Sequence, residues 1–221
     1  MSSPSDSTAS PSSDPKPGSL VALAEIRTPA EALAHLLAGN RRFVSGRPLH
    51  GHDVSAAAEA AASGDQQPVA VVIGCIDSRV PLEAIFDQTF GSICVVRSAG
   101  HVLDRAVLGS VEFAVTELAV PLVVVLGHER CGAVGSAVAA LRTRRQYSAA
   151  LTYLVEQIAP AVVEVGPGRP DVHPLAVRRH VARTVAALDE EKYLIEATRS
   201  GRVKIVGAVY DLNTGAVSLI D

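Results

Sequence analysis

Short apolar runs alternate with stretches of helical spacing through the middle of this chain. The apolar runs cover residues 69–73, 93–96 and 122–126. Runs of Val, Ile and Leu without polar alternation predict strands that are buried on both faces. Helical spacing separates these runs, over residues 81–86 and 107–118. This order predicts parallel strands joined by helical crossovers, which is the pattern of an α/β fold.

A capped helix precedes the first predicted strand. Thr28 is a good N-cap, Pro29 suits the first helical position, and Glu31 follows the cap by three residues. Leucines then recur at helical spacing until Gly46 ends the pattern. A weaker, Ala-rich helix is predicted over residues 56–62.

The C-terminal part of the chain predicts the rest of the sheet. Residues 174–199 have helical spacing with a break near Asp189, and residues 203–210 form a further apolar run. An Asn-Thr-Gly turn at 213–215 then leads into residues 216–220, which predicts a hairpin. The expected fold is α/β, with a mostly parallel central sheet flanked by helices and a C-terminal antiparallel edge hairpin.

Composition divides the chain into a tail and one domain. Residues 1–19 are almost all Ser, Pro, Asp, Thr and Gly, so we expect a disordered tail there. Residues 20–221 are expected to form a single α/β domain. Apolar residues make up 48% of the chain and aromatic residues only 4%, which favours a core of aliphatic side chains.

Charge and cysteine content exclude several classes of protein. A net charge of −3 without a basic cluster argues against a nucleic-acid partner. Because no apolar run approaches the ~20 residues that span a bilayer, no membrane partner is expected. Three cysteines exclude a disulfide scaffold and favour a reducing, cytoplasmic location.

Polar clusters follow two of the predicted strands. Cys75, Asp77 and Arg79 alternate after the first strand, so an extended backbone points all three side chains the same way. His128 and Cys131 follow the third strand at a predicted strand-to-helix turn. Open parallel sheets bind ligands at the carboxyl ends of their strands, so we expect the two clusters to form one site.

Two thiolates and one imidazole are the donor set of a zinc site, and three protein ligands leave a fourth position for water. Zinc lowers the pKa of that water toward ~7. Asp77 is then expected either to accept a hydrogen bond from the bound hydroxide or to bind the metal itself and close the site. Arg79 is expected to hold this carboxylate off the metal by a bidentate salt bridge. We predict Zn²⁺ as the cofactor, and the candidate ligands are Cys75, Asp77, His128 and Cys131.

The remaining cysteine and several histidines are interpreted as structural. Cys94 is expected to be a small buried side chain inside the second strand. The histidines interpreted as helix-surface residues are His35, His173 and His180.

The two clusters resemble the motifs of the β-class carbonic anhydrases. The C-x-D-x-R pattern at 75–79 and the H-x-x-C pattern at 128–131 are similar to that family's zinc motifs. Further similar segments are V-V-R-S-A-G-H at 95–101, G-S-V-E-F-A-V at 109–115 and the closing hairpin at 207–215. The resemblance covers roughly residues 30–220.

This resemblance implies the reversible hydration of CO2 to bicarbonate, by a protein that assembles as a homodimer or homotetramer. The implied zinc ligands are Cys75, His128 and Cys131, and the Asp77–Arg79 pair lies beside them. A family glutamine that positions the substrate maps best onto Gln88. Independently of the resemblance, the backbone N–H of Gly132 stands at a helix start, where it can meet an anionic oxygen.

The chain departs from the family pattern at a few positions. Ser98 and His101 stand where Asn is usual, and only a small adjustment of geometry is expected from them. Val72 stands where some bacterial members have a Trp beside an inhibitory bicarbonate. Since the chain contains no Trp, that regulatory pocket is not expected here.

Alternatives to CO2 hydration stay open at this point. A few family members hydrolyse CS2 or COS with the same zinc chemistry, so the ligands do not discriminate between these substrates. A non-catalytic, zinc-stabilised oligomer is the second alternative, although such a site needs neither Asp77 nor Arg79. A nucleotide-binding module is disfavoured because no glycine-rich phosphate loop follows the first strand.

Overall fold

The computed structural model describes residues 25–50 and 66–220. The tail expected over residues 1–19 and the helix expected over residues 56–62 lie outside the described residues. Helix α1 (Pro29–Val44) begins at the predicted cap. Thr28 Oγ1 accepts the N–H of Glu31 at 3.2 Å, and the Glu31 carboxylate accepts the N–H of Thr28 at 2.9 Å. This reciprocal pair satisfies two N–H groups that have no partner inside the helix.

Within the described residues, a five-stranded sheet has the strand order β2-β1-β3-β4-β5. The strands are β1 (Ala70–Cys75), β2 (Ile93–Ser98), β3 (Leu122–His128), β4 (Lys204–Tyr210) and β5 (Val217–Leu219). The first four strands are parallel, and β5 pairs antiparallel with β4. The predicted fold class, including the C-terminal antiparallel edge, is confirmed.

The position of each strand in the sheet decides how deeply it is buried. All residues of β1 and β3 are buried, as their apolar runs predict. Strand β2 lies at the edge of the sheet, and its residues are half-buried or exposed. The prediction that this strand is buried on both faces is therefore wrong, because its only neighbour among the described strands is β1.

Helices connect the strands and cover the sheet. The short helix α2 (Leu82–Ile85) follows β1, and α3 (Arg105–Thr116) follows β2. After β3 the chain forms α4 (Gly132–Thr143), α5 (Ala149–Val165), α6 (Val172–Asp189) and α7 (Lys192–Arg199). The predicted break near Asp189 is confirmed, since α6 ends at this residue. None of the described helices has the length and apolar character needed to cross a bilayer.

Alternate side chains of the central strands contribute to two apolar layers. Val71 and Ile73 belong to the layer that includes residues of α3 to α7, whereas Ala70 and Val72 belong to the layer that includes α1 and α2. This division follows from the alternation of side chains along a strand. The first layer places the start of α4 beside the carboxyl ends of β1 and β3, and the predicted site lies there.

Candidate metal centre

The three predicted zinc ligands converge at the carboxyl edge of the sheet. Cys75 is the last residue of β1, His128 is the last residue of β3, and these two strands are parallel neighbours. Cys131 follows at the N-cap of α4. One donor atom from each of the three residues lies within 4.8 Å of the others, and all three residues are buried. The strand pairing therefore brings together ligands that lie more than fifty residues apart in the chain.

The imidazole of His128 presents its Nε2 to the two thiols. Its Nδ1 lies 2.9 Å from the carbonyl oxygen of Glu129. A carbonyl oxygen only accepts, so Nδ1 carries the proton and Nε2 keeps a free lone pair. This Nε2 is buried and has no hydrogen-bond partner among the described residues. An unpartnered buried acceptor is costly, and a metal ion is the partner that this donor set fits.

The two thiols share their protons unequally. A hydrogen bond from the Cys131 thiol is the chief cause that lowers the pKa of Cys75, and the N–H of Gly100 lowers it further, while burial opposes this effect. The hydrogen bond to Cys75 and burial raise the pKa of Cys131. A divalent ion bound by both sulfurs would stabilise the thiolate form of each and displace the proton of the hydrogen bond between them, so metal binding would release acid.

The predicted pair of Asp77 and Arg79 lies at the edge of this donor cluster. Arg79 Nε donates to Asp77 Oδ1 at 2.9 Å, and Arg79 Nη2 donates to Asp77 Oδ2 at 2.7 Å. These bonds hold the pKa of the Asp77 carboxyl well below its usual range. Asp77 Oδ2 lies 3.9 Å from Nε2 of His128, and Asp77 is not one of the three clustered donors. The carboxylate is thus ionised, anchored and adjacent to the metal position.

Three hydrogen bonds, from Arg97 and Gly100, support this arrangement and were not predicted from the sequence. Arg97 Nε donates to the carbonyl of Cys75 at 2.8 Å, and its Nη2 donates to the carbonyl of Asp77 at 2.7 Å. The N–H of Gly100 donates to Cys75 Sγ at 3.3 Å. Both residues belong to the V-V-R-S-A-G-H segment. The similarity of this segment to a family motif is the sequence feature that could have identified them. The end of β2 and the turn that follows it therefore hold the ligand-bearing turn after β1.

A cavity of about 270 Å³ opens beside the donors. Cys75 and Asp77 lie on its wall, together with Gly132 at the start of α4. The rest of its lining is largely apolar and includes Ala133, Tyr147, Leu151, Leu154 and Val155. A small, uncharged molecule fits such a space beside an ionised carboxylate.

Gln88 is not among the residues that line this cavity. Its side chain is almost fully buried and donates to the carbonyl of Phe86 at 2.7 Å. Its Oε1 lies 3.1 Å from Nε2 of His35. Of the two candidate substrate-binding residues, Gly132 therefore borders the cavity and Gln88 does not.

The surface interpretation of His180 is wrong. His180 is only 4% exposed, and its Nε2 lies 2.9 Å from the carbonyl oxygen of Gly100. His173 and His35 are half-buried and hydrogen-bonded. Helical spacing does not reveal which face of a helix meets another element, so the sequence alone does not indicate that His180 is buried. Cys94 lies outside the donor cluster and is half-buried against the core, so the prediction of a buried side chain is wrong, because its strand lies at the edge of the sheet.

A buried Cys-His-Cys cluster at the carboxyl edge of a mostly parallel sheet is the metal centre of a zinc protein. The sequence profile of the family described as "Carbonic anhydrase" matches residues 70–217 of this chain. Carbonic anhydrase 2 of Mycobacterium tuberculosis is 45% identical over 197 residues, which cover 87% of this chain and 93% of that protein. The carbonic anhydrase of Mycolicibacterium smegmatis is 43% identical over 195 residues, covering 86% and 93%.

Solved structures agree with this result at the level of the fold. The Coccomyxa β-carbonic anhydrase in complex with acetazolamide has a TM-score of 0.66 at 23% identity, covering 85% of this chain and 86% of that one. The chain belongs to the β-class carbonic anhydrase family. The resemblance predicted from its motifs is confirmed.

Proposed function

We propose that the chain catalyses the reversible hydration of CO2 to bicarbonate and a proton, with its metal at Cys75, His128 and Cys131. The observation that carries this function is the buried set of three donors, in which His128 Nε2 has no hydrogen-bond partner in the part of the chain that the structure describes. A zinc ion bound there lowers the pKa of water toward ~7 and so supplies hydroxide at neutral pH. In the net reaction, a water oxygen bonds to the carbon of CO2, one C=O π bond opens, and a proton leaves to solvent.

Asp77 is inferred to orient the attacking oxygen. Its carboxylate is ionised and can only accept hydrogen bonds, so it selects a nucleophile that still carries a hydrogen. With that hydrogen fixed, the lone pair of the oxygen is left to face the carbon. Arg79 acts through Asp77, because its two hydrogen bonds engage both carboxylate oxygens and keep the group from turning toward the metal position.

The apolar wall of the cavity is inferred to receive CO2, which carries no charge and no hydrogen-bond donor. As bicarbonate forms, negative charge develops on the substrate oxygens. Gly132 borders the cavity at the first position of α4, where backbone N–H groups have no partner inside the helix. We infer that its N–H stabilises that charge. The predicted substrate role of Gln88 has no support of this kind.

A homodimer or homotetramer is proposed as the assembled form. A solved pair of β-carbonic anhydrases from Sordaria macrospora is described as tetrameric, and one of these chains has a TM-score of 0.63 with 21% identity, covering 85% of this chain and 96% of that one. Sedimentation velocity of the purified chain distinguishes a dimer from a tetramer, and a monomer would contradict the proposed assembly.

A cytoplasmic location is proposed because a site with two thiolate ligands requires reduced cysteines.

The function is tested by stopped-flow measurement of CO2 hydration with the zinc-loaded chain. CS2 and COS are assayed in parallel, because these substrates share the zinc chemistry. We expect turnover of CO2 to exceed that of both sulfur compounds. Zinc-loaded protein that hydrolyses CS2 or COS but does not hydrate CO2 would overturn the proposal, and so would protein that is inert toward all three.

A further inference from the structure

Helix α6 carries two histidines on the face that meets the metal centre. His173 and His180 are seven residues apart, which is about two helical turns, so they lie on the same face. Val177 and Val181 share this face and approach Gly127 in β3. A Cβ at Gly127 would lie 2.5 Å from Val181 Cγ2, so glycine allows the close approach of helix and strand. The helix is therefore held tightly at the position where both histidines reach the ligand-bearing loops.

His180 acts on the peptide that faces Cys75. Its Nε2 lies 2.9 Å from the carbonyl oxygen of Gly100, so Nε2 donates the hydrogen. Gly100 has a φ of 64°, in the left-handed region that favours glycine. Its N–H donates to Cys75 Sγ at 3.3 Å. Because the carbonyl and the N–H flank one Cα, fixing the carbonyl limits rotation at Gly100 and keeps the N–H directed at the sulfur.

His173 acts on the backbone of the other cysteine. Its Nε2 donates to the carbonyl of Cys131 at 3.0 Å. The same carbonyl accepts the N–H of Gly135 at 3.0 Å in the first turn of α4. Two donors thus occupy both lone pairs of this oxygen. Since Cys131 is the N-cap residue, this fixes the backbone that sets the direction of its Sγ.

We propose that His173 and His180 are positioning residues that hold the two zinc thiolates, His173 through the Cys131 carbonyl and His180 through the Gly100 peptide. This inference rests on the proposed function of the three donors as a zinc site. It assigns α6 a role beyond core packing, because one helix supports both sulfur ligands. Hydrogen bonds around a metal site orient its ligands and tune their charge, and losing one such bond typically weakens metal binding by about 10-fold to 100-fold.

The test separates positioning from packing by comparing matched variants. His180→Met removes the donor with little change in volume, whereas His180→Gln keeps an N–H donor at a similar distance from the backbone. Thr184→Val is the control, since Thr184 is buried one turn further along α6 and its hydroxyl donates to the carbonyl of His180. Each full-length protein is prepared with Zn²⁺ and, separately, with Co²⁺. The readouts are the rate of zinc release to an excess of chelator and the sulfur-to-cobalt charge-transfer band.

We expect zinc release from His180→Met to be about 10-fold faster than from wild type. Its charge-transfer band should move to lower energy, because a thiolate without its N–H donor gives up an electron more easily. His180→Gln and Thr184→Val should retain the wild-type release rate and band. Equal release rates and bands in His180→Met and wild type would overturn the proposal, whatever the change in unfolding free energy.

A second pair keeps the test decisive if His180→Met does not fold. His173 is only half-buried, so His173→Met and His173→Gln are compared in the same way. Zinc release that is faster from His173→Met than from His173→Gln supports the proposal, and equal release rates from these two variants overturn it. Wild-type protein that takes up neither Zn²⁺ nor Co²⁺ would instead count against the metal site itself, so the two failures are distinguishable.

Discussion

The carboxylate of Asp77 receives two hydrogen bonds from Arg79 while one of its oxygens lies 3.9 Å from Nε2 of His128. The carboxylate is thus attached to an exposed cation on one side and borders the metal ligands on the other. Removing either member of this pair should alter catalysis without removing a zinc ligand.

Arg79→Ala should retain zinc but lose on the order of 10-fold to 100-fold in kcat/KM for CO2 hydration. The reason is that the freed carboxylate turns toward the metal position and no longer orients the nucleophile. The measurements are zinc content and stopped-flow kinetics. Arg169→Ala is the matched control, because Arg169 forms the same two-bond pair with Asp171 at an exposed site elsewhere. Wild-type kinetics in Arg79→Ala would show that this pair does not control the site.

Asp77→Asn should also keep its zinc and lose most of its activity, for a different reason. The amide has nearly the same shape as the carboxylate, but it presents an NH2 group where a second acceptor oxygen was. The nucleophile then loses its acceptor. Because Arg79 remains in place, a lower kcat with bound zinc would assign the effect to Asp77 itself, whereas unchanged kcat would exclude an orienting role.

Cys131→Ser and Cys75→Ser should each lose zinc together with activity, since a hydroxyl is a poor replacement for a thiolate ligand. Cys94→Ser is the control, because Cys94 is half-buried in β2 and outside the donor cluster. It should keep both zinc and activity. Metal analysis after dialysis and a CO2 hydration assay check all three variants. Full activity in Cys131→Ser would contradict the assigned ligand set.

His180 and His101, the two buried histidines under the metal centre, should destabilise the fold at acid pH. Burial lowers the pKa of His180 to about 4, and burial together with the neighbouring His180 lowers that of His101 well below its usual value. In the unfolded chain these groups bind protons below about pH 6.5. The contribution of these two histidines to the free energy of unfolding is therefore at its maximum above about pH 6.5, and it is lost as the pH falls toward 4. Each group adds a slope of about 1.4 kcal/mol per pH unit to the free energy of unfolding.

The comparison of wild type with His101→Asn checks this slope. Asn is small enough to be buried and tolerates the left-handed conformation that His101 adopts at φ 49°. Urea unfolding at one protein concentration, from pH 7.5 to 5, should give a flatter curve for the variant. Protonation of the zinc ligands affects both proteins alike, so it cancels in the difference. Parallel curves would contradict the role assigned to His101.

Gly100→Ala should cost both stability and metal retention. The left-handed conformation disfavours any side chain by about 1–2 kcal/mol, and the added Cβ would lie 2.9 Å from side-chain atoms of Ala133 and Ile158. Gly201→Ala is the control, because Gly201 has a φ of 73° but no neighbour within 4 Å of the added Cβ. Both variants should lose stability in urea unfolding, and only Gly100→Ala should also release zinc faster. Equal zinc release from both would contradict the role of the Gly100 amide.

The local sequence determined the elements whose signals are short in range. The apolar runs predicted β1 and β3 as buried strands, Thr28 and Glu31 predicted the start of α1, and the break near Asp189 predicted the boundary between α6 and α7. The metal ligands were predictable for a related reason. Parallel strands end at one edge, so cysteine and histidine at two such ends lie together once the sheet is assumed.

Only the tertiary structure decided the properties that depend on neighbours distant in the chain. An apolar run does not encode whether its strand lies inside the sheet or at the edge, and β2 lies at the edge. A helical pattern does not encode which face meets another element, so His180 was interpreted as a surface residue although it is buried against Gly100. The hydrogen bonds by which Arg97, His173 and Gly100 support the metal ligands likewise depend on residues that are distant in the chain. These contacts form only when strand register and helix packing bring separate segments within hydrogen-bond distance, and no local pattern contains that information.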